Sequence, residues 1–161
     1  MRQKHLIQRK TWKFDSNATY LVAARLGGVG RSVLRWMTSR GAKQLIVPSR
    51  SGAASNAAIQ VVSELSALGV NILTPKCDLS SASSVQLMLS DCAQTMGPIR
   101  GCINAAMVLQ DSVFDNMTRA QWNTTIRSKV QTSWNLHTLL TEALDFFVLI
   151  SSASGILGNI S

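Results

Sequence analysis

Short apolar runs alternate with longer stretches of helical periodicity along this chain of 161 residues. The runs begin at Tyr20, Leu45, Val70, Gly101 and Phe146. Each run is short enough to be a buried strand, and the stretch after each of the first four is long enough to hold a helix. Parallel strands need such long crossovers, whereas antiparallel strands can be joined by short turns. The alternation therefore predicts a parallel sheet covered by helices.

The segments between these runs carry the signals of helices, which we place at residues 29–40, 57–68, 81–95 and 118–141. Gly41 and Gly69 follow the first two, where glycine favours the left-handed backbone that ends a helix. Ser81 or Ser83 can cap the third helix and Thr118 the fourth. Apolar residues recur at helical spacing in the first two helices: Val29, Val33, Trp36 and Met37 in the first, and Ile59, Val62 and Leu65 on one face of the second.

Strands and helices in this order indicate an α/β fold. Right-handed crossovers favour a Rossmann-type doubly wound parallel sheet with the strand order 3-2-1-4-5. With 46% hydrophobic and 15% charged residues, the chain has the composition of one globular domain and not of a disordered segment. We assign residues 14–161 to this domain and residues 1–13 to a basic, unstructured head.

The net charge of +8 is concentrated in that head. Residues 1–13 hold five basic residues and no acid, so the rest of the chain carries a charge of only +3. A basic head without a pattern is more typical of a solvated tail than of a nucleic-acid surface. We therefore expect no nucleic-acid partner. The alternative, a nucleic-acid binder that uses the head, predicts DNA binding that falls steeply with salt.

Other partners are also disfavoured by composition. No segment approaches the roughly 18 apolar residues of a membrane span, and the N-terminus lacks the apolar run of a signal peptide. Cys77, Cys92 and Cys102 lie far apart, with no histidine near them in sequence. Such spacing fits neither a zinc site nor a disulfide framework, so we expect no metal site and no membrane partner. A cytoplasmic location is the expectation that remains.

A glycine cluster lies between the first strand and the first helix. Gly27, Gly28 and Gly30 would let the backbone turn tightly and approach a pyrophosphate, whose charge the helix N-terminus would then stabilise. Glycines at this point also serve ordinary packing of a helix on a strand, so that alternative stays open. Because the glycine cluster lies between a strand and a helix, we favour nucleotide binding.

The ends of the next three strands suggest which nucleotide binds. The second strand ends at Ser49 and Arg50, and an arginine there can pair with the 2′-phosphate of NADPH, whereas NAD favours an acid. Arg50 can also be a solvated loop residue. Asp78 can accept a hydrogen bond from the adenine amine, or act as a favourable acid before the next helix. Asn104 and Ala105 end the fourth strand, where small residues let the chain pass close to a cofactor.

Motifs in a fixed order carry a family resemblance over about residues 13–159. They include Leu26-Gly27-Gly28-Val29-Gly30-Arg31, Ser49-Arg50-Ser51-Gly52, Cys77-Asp78-Leu79, Lys129-Val130-Gln131, Trp134-Asn135-Leu136-His137 and Ser151-Ser152. In this order and spacing the chain resembles the short-chain dehydrogenase/reductase superfamily. More narrowly, it resembles the β-ketoacyl reductase domain of fungal highly reducing polyketide synthases.

The resemblance implies a function and roles for particular residues. It implies that NADPH reduces a β-ketoacyl group, carried on an acyl carrier protein, to a β-hydroxyacyl group. Gly28 and Gly30 would hold the pyrophosphate, Arg50 the 2′-phosphate and Asp78 the adenine. Lys129 and Ser152 would belong to the catalytic set. In this chemistry a tyrosine donates the proton, a serine holds the carbonyl oxygen and a lysine lowers the pKa of the tyrosine.

The sequence also departs from that family. The catalytic tyrosine, expected about 13 residues after Ser152 by the resemblance, would lie beyond Ser161, and the last strands of the fold would lie there too. We therefore expect the fifth strand to have an unpaired edge that a partner chain could cover. Ala24 and Arg25 stand where the family usually has two glycines, and Asn159–Ser161 replaces a usual turn with proline and glycine.

Two hypotheses follow for the chain by itself. The first is a reductase domain that is inactive alone, because the proton donor is absent from these 161 residues. The alternative is a non-catalytic remnant that binds a nucleotide or docks on a partner.

Overall fold

The computed structural model describes residues 12–108, 110, 112, 114–140 and 143–152. Its strands are β1 (Thr19–Ala23), β2 (Gln44–Ile46), β3 (Asn71–Leu73), β4 (Ile99–Asn104) and β5 (Phe146–Leu149). All four strand pairs are parallel, and the sheet has the order β3-β2-β1-β4-β5. The predicted α/β fold and strand order are confirmed. Most of the predicted head, residues 1–11, lies outside the described residues, so the division at residue 13 stays a prediction.

The helices are α1 (Gly28–Ser39), α2 (Asn56–Ala67), α3 (Ala82–Ala93), α4 (Arg119–Ile126) and α5 (Thr132–Leu139), and a 3-10 turn spans Phe114–Asn116. The predicted long helix over residues 118–141 is helical from Arg119 to Leu139, but it is not one regular α-helix. A π turn over Arg127–Gln131 joins α4 to α5, and the N–H of Thr132 donates to the carbonyl of Arg127 five residues earlier. Such a turn accommodates one extra residue within a helix and is frequent at functional sites.

Several predicted helix ends are confirmed. Gly41 and Gly69 follow α1 and α2 with φ angles of +101° and +73°, a conformation that L side chains rarely adopt. The Ser81 hydroxyl accepts a bond from the N–H of the third residue of α3. Thr118 and Gln121 form a reciprocal capping box at the start of α4. These side chains satisfy backbone groups that each helix end would otherwise leave unpaired.

The helices cover both faces of the sheet. One apolar cluster contains Leu34 and Met37 of α1 with Val61 and Leu65 of α2. The other contains residues of α3 and α5, among them Leu136. Residues of β1 alternate between the two clusters, as successive side chains of a strand must when both faces are covered. This is the doubly wound arrangement.

The apolar residues whose spacing marks α1 and α2 are not all buried. Val29 and Ile59 are 64% and 53% exposed, whereas Leu34 and Val61 are fully buried. Trp36 is half exposed and instead stacks against Trp12, at 6.5 Å between ring centroids, outside the sheet. The faces that meet the sheet include the small residues Gly30 and Ala58, which let the helices approach the strands closely. Apolar spacing alone overlooked those small residues.

The β5 side of the sheet carries exposed apolar residues. Arg100 of β4 forms an ion pair with Asp145, at 2.6 Å, where β5 begins. Val148, Leu149 and Ile150 are 37–50% exposed. Among the described strands β5 pairs only with β4. None of the helices described is long and apolar enough to cross a membrane.

We predict that Leu34→Ala lowers the free energy of unfolding by about 2–5 kcal/mol, because it leaves a cavity in the cluster beneath α1. Leu87→Ala is the matched control, since Leu87 is 65% exposed on α3 and its removal should change stability by less than about 0.5 kcal/mol. Urea denaturation measures both. Equal losses in the two variants would contradict this packing of α1.

Candidate functional site

A cleft of about 250 Å³ lies over the carboxyl ends of the strands. Its walls come from the segments after β1, β2, β3 and β4 and from α4 with the π turn. The polar and charged residues that line it are Arg25, Ser49, Arg50, Asp78, Ser80, Thr124, Arg127, Ser128 and Thr132. The carboxyl edge of a parallel sheet is where open α/β folds bind ligands. Of the predicted site residues, Ser49, Arg50 and Asp78 line this cleft.

The glycine turn between β1 and α1 has an open side and a closed side. A Cβ added at Gly27 or Gly28 would meet no atom within 4 Å, so the space beside them is free. A Cβ added at Gly30 would collide with the carbonyl oxygen of Arg25, so that glycine is required for the close packing of the turn. No side chain caps the N-terminus of α1 at Gly27. A helix N-terminus with open space beside it fits a dinucleotide pyrophosphate.

Ala24 is accommodated without strain. No residue other than glycine has a positive φ in the described part of the chain, so this turn does not demand glycine at position 24. Ala24 is 5% exposed and belongs to the core cluster beneath α1. The departure from the glycine pattern therefore costs little in folding at this position.

The cleft is strongly cationic. Arg25, Arg50 and Arg127 reach it from three separate elements, and each is exposed. The side-chain ion pairs found among the described residues, Arg35 with Glu64 and Arg100 with Asp145, include none of these three arginines. Sequence reasoning missed Arg127. Its only signal was its position two residues before Lys129, which does not reveal that its helix borders the cleft.

Asp78 is the one acid among the described residues that line this cleft. Its Oδ1 accepts hydrogen bonds from the Ser80 hydroxyl at 2.8 Å and from the Ser80 N–H at 3.0 Å. The bond from the Ser80 hydroxyl is the main cause that holds the pKa of Asp78 below its ordinary value, and the charges of Arg127 and Arg50 act in the same direction. The carboxylate is thus ionised and oriented, as an acceptor for a ligand amine must be.

Asn135 anchors the segment that carries Asp78. It is 3% exposed on α5, and its side-chain amide donates to the carbonyl of Leu79 at 2.9 Å. Gln131 donates in turn to the Asn135 side-chain oxygen at 2.9 Å. Sequence reasoning quoted Asn135 in a motif but gave it no role. A buried asparagine requires partners, and its partner here fixes the wall of the cleft.

A second buried asparagine organises the other end of the site. Asn104 is fully buried, its amide donates to the Ser133 hydroxyl at 3.0 Å, and its oxygen accepts from the Ala106 N–H at 3.0 Å. The Ser133 hydroxyl donates to the carbonyl of Lys129 at 2.6 Å. The side chain of Asn104 thus holds the π turn against the end of β4.

Lys129 lies at the end of β5. Its ammonium group donates to the carbonyl of Ile150, and Ile150 donates its N–H to the carbonyl of Asn104 at 2.9 Å. Desolvation lowers the pKa of Lys129 from its ordinary value. Ser152 follows Ile150 by two residues and is exposed. The fold therefore brings Lys129 and the segment of Ser152 to one corner, as expected for adjacent elements.

The remaining predicted residues border the cleft without lining it. Gly27, Gly28 and Gly30 form the turn into α1. Ala105 donates its N–H to the carbonyl of Ala23 at 2.8 Å and so continues the pairing of β4 with β1. Cofactor contacts of these residues stay predictions.

The only tyrosine of the sequence, Tyr20, lies far from this chemistry. It is 2% exposed at the amino end of β1, and its oxygen accepts a bond from the Asp15 N–H at 2.9 Å. Burial raises the pKa of this phenol above its ordinary value. Tyr20 is a core residue and not a proton donor for the cleft.

The described residues contain no cluster of three or more potential metal ligands. The groups around the cleft are hydroxyls, arginines and one carboxylate, which are suited to hydrogen bonding and to phosphate recognition.

Comparison with known proteins identifies the family and the fold. The pattern of the KR domain matches residues 18–161, which is most of the chain. The chain belongs to the KR domain family. Its sequence is 58% identical over 154 residues to Highly reducing polyketide synthase 2 of Gibberella zeae, and 51% identical over 152 residues to Highly reducing polyketide synthase 40 of Fusarium mangiferae.

This chain spans only a small part of the length of these relatives. The matches include 95% and 94% of this chain but 6% of each synthase. A solved ketoreductase from the first module of phoslactomycin biosynthesis in Streptomyces sp. HK803 matches with a TM-score of 0.83 and 26% identity. That match covers 93% of this KR domain and 35% of the solved chain. The resemblance inferred from the motifs is confirmed at the level of the family and the fold.

We predict that Ser80→Ala raises the pKa of Asp78, because the mutation removes the hydroxyl that most favours the carboxylate. A depressed pKa contributes stability that is present above the unfolded pKa and is lost as the pH falls through the folded pKa. The variant should lose part of this contribution. Carboxyl ¹³C titration by NMR measures the pKa, with Ser83→Ala as the control. An unchanged pKa in Ser80→Ala would contradict the role of this bond.

Proposed function

We propose that this KR domain binds NADPH in the cleft and contributes to reduction of a β-ketoacyl group carried on an acyl carrier protein. The observation that carries the proposal is the open glycine turn at the uncapped N-terminus of α1, beside a cleft with three arginines and one acid. A phosphate-rich, anionic ligand suits that combination.

The end of β2 favours NADPH over NADH. Ser49 and Arg50 line the cleft there, whereas Asp78, the one acid among the described lining residues, follows β3. NAD-dependent sites use an acid near the end of the second strand to bind the ribose 2′-hydroxyl, whereas an arginine suits a 2′-phosphate. The exposed guanidinium of Arg50 can form the paired hydrogen bonds that a phosphate accepts.

The adenine end of the cleft is assigned to Asp78. Its carboxylate is held by Ser80 and is flanked by the charges of Arg50 and Arg127. An ionised carboxylate in a fixed orientation can accept a hydrogen bond from the adenine amine. The bond from Asn135 to the Leu79 carbonyl keeps the segment in place.

The catalytic roles proposed here fall on Lys129 and Ser152. The bound nicotinamide supplies hydride. The ammonium group of Lys129, held at the carbonyl of Ile150, places a positive charge at the end of β5, where it would lower the pKa of a tyrosine that donates the proton. The Ser152 hydroxyl would hold the substrate carbonyl oxygen as negative charge develops on it. Asn104 and Ser133 keep Lys129 in position.

We propose that these 161 residues alone do not complete the reaction. Tyr20 is the only tyrosine in the sequence and is buried away from the cleft. General acid catalysis needs a donor within hydrogen-bond reach of the substrate oxygen. A second role, nucleotide binding combined with docking on a partner chain, is favoured by the exposed residues Val148 and Leu149 of β5.

A cytoplasmic location and the absence of a nucleic-acid partner belong to the same proposal. Cys77, Cys92 and Cys102 are buried and none forms a disulfide, which suits a reducing compartment. The arginines of the cleft face a pocket of limited volume and not a broad surface, which suits a small anionic ligand better than a nucleic-acid backbone.

Titration of the purified chain with NADPH and with NADH tests the proposal. We expect NADPH to bind more tightly, and we expect Arg50→Gln to weaken NADPH binding by roughly tenfold to a hundredfold while it changes NADH binding little. Arg40→Gln removes the same charge beyond the far end of α1 and is the control. We also expect no oxidation of NADPH by the isolated chain with a β-ketoacyl thioester.

Failure of the unmodified chain to bind NADPH would contradict the proposal. Tighter binding of NADH than of NADPH would contradict the assignment of Arg50 to the 2′-phosphate. Turnover of the thioester by the isolated chain would show that a residue other than tyrosine donates the proton here.

A further inference from the structure

We propose that Arg25 is a pyrophosphate-binding residue of the cleft, an inference that rests on the proposed binding of a nicotinamide dinucleotide. Arg25 lies in the turn between β1 and α1, at a position where the family that the chain resembles usually has glycine. A glycine can offer a pyrophosphate only its backbone. An arginine adds a permanent positive charge with several N–H donors in a fixed geometry.

The backbone of the turn fixes where this arginine begins. The carbonyl oxygen of Arg25 lies so close to Gly30 that no Cβ would fit between them. Residue 25 is therefore packed against the first turn of α1. The Arg25 residue is exposed and lines the cleft, while the neighbouring Ala24 is buried in the core. Arg25 therefore lies in the same turn that leaves open space beside Gly27 and Gly28.

The other arginines near the turn interact with groups of the protein itself. Arg31, in the first turn of α1, donates its Nε–H to the carbonyl of Gly27 at 3.2 Å. The cationic neighbours that stabilise the Asp78 carboxylate are Arg127 and Arg50, and Arg25 is not among them. None of the ion pairs found among the described residues includes Arg25.

The parts of a nicotinamide dinucleotide can be matched to the positions of the charged residues around the cleft. A nicotinamide dinucleotide carries its pyrophosphate at the glycine turn and its adenosine at the ends of the second and third strands. Arg50 and Asp78 lie at those strand ends, which leaves Arg25 beside the pyrophosphate. The N-terminus of α1 contributes only a partial positive charge and has no side-chain cap. Arg25 supplies a full charge to the same group.

This assignment separates Arg25 from Arg50 experimentally. NADPH and NADH share the pyrophosphate and differ in the 2′-phosphate. A residue that binds the pyrophosphate therefore contributes equally to both ligands, whereas a residue that binds the 2′-phosphate contributes only to NADPH. The ratio of the two dissociation constants distinguishes the roles without a structure of the complex.

The experiment is calorimetric titration of the 161-residue chain with NADPH and with NADH, using the variants Arg25→Gln, Arg25→Lys and Arg40→Gln. We expect Arg25→Gln to weaken both ligands by about the same factor, roughly tenfold, which leaves their ratio unchanged. Arg25→Lys should recover part of the loss because it keeps the charge. Arg40→Gln should change either dissociation constant less than about twofold, because it lies beyond the opposite end of α1.

Thermal unfolding of each variant checks that the fold is intact, as expected for an exposed side chain. If Arg25→Gln weakens the binding of NADPH but not of NADH, the assignment is overturned, because the guanidinium would then bind the 2′-phosphate. Equal behaviour of Arg25→Gln and Arg40→Gln would overturn it too, while the proposed function would stand. If the unmodified chain binds neither ligand, the proposed function fails, and this inference fails with it.

Discussion

The buried side chain of Asn104 is the contact on which the arrangement of the site depends. It lies at the end of β4, in the interior of the sheet, and water cannot satisfy its amide there. Its N–H group binds the Ser133 hydroxyl, which binds the carbonyl of Lys129 in the π turn. Its backbone carbonyl accepts from Ile150, whose own carbonyl accepts from the Lys129 ammonium group. Asn104 thus connects β4 with β5, with the π turn and with the start of α5.

The two ends of the site are held by the same kind of interaction. Asn104 positions the corner with Lys129 and Ser152, and Asn135 positions the loop with Asp78. Both asparagines are buried, so an unpaired side-chain amide would be costly at either position. The hydrogen bonds that satisfy each amide therefore fix the positions of its partners. The cleft lies between them and presents its arginines to solvent. The glycine turn between β1 and α1 is held in a different way, by the close packing of Gly30 against the carbonyl oxygen of Arg25.

Sequence reasoning predicted the fold well because strand and helix periodicity, glycine caps and crossover handedness are local or general rules. It placed Ser49, Arg50 and Asp78 at the cleft because strand ends in a parallel sheet meet at one edge. It missed the π turn, which apolar spacing does not reveal, and Arg127, whose position at the cleft depends on how elements distant in sequence pack together. Apolar spacing located α1 and α2 but did not show which of their side chains are buried, since small residues such as Gly30 and Ala58 also meet the sheet.

Hydrogen exchange of Asn104→Leu, compared with the unmodified chain, tests the central role of Asn104 most directly. Leucine fills a similar volume but offers no hydrogen bond to Ser133 or Ala106. We expect faster amide exchange in the π turn, with protection of α1 and α2 unchanged and with the bond from Ile150 to the backbone carbonyl of residue 104 retained. No change in exchange, or a uniform loss of protection across the sheet, would contradict the claim that this asparagine organises the site.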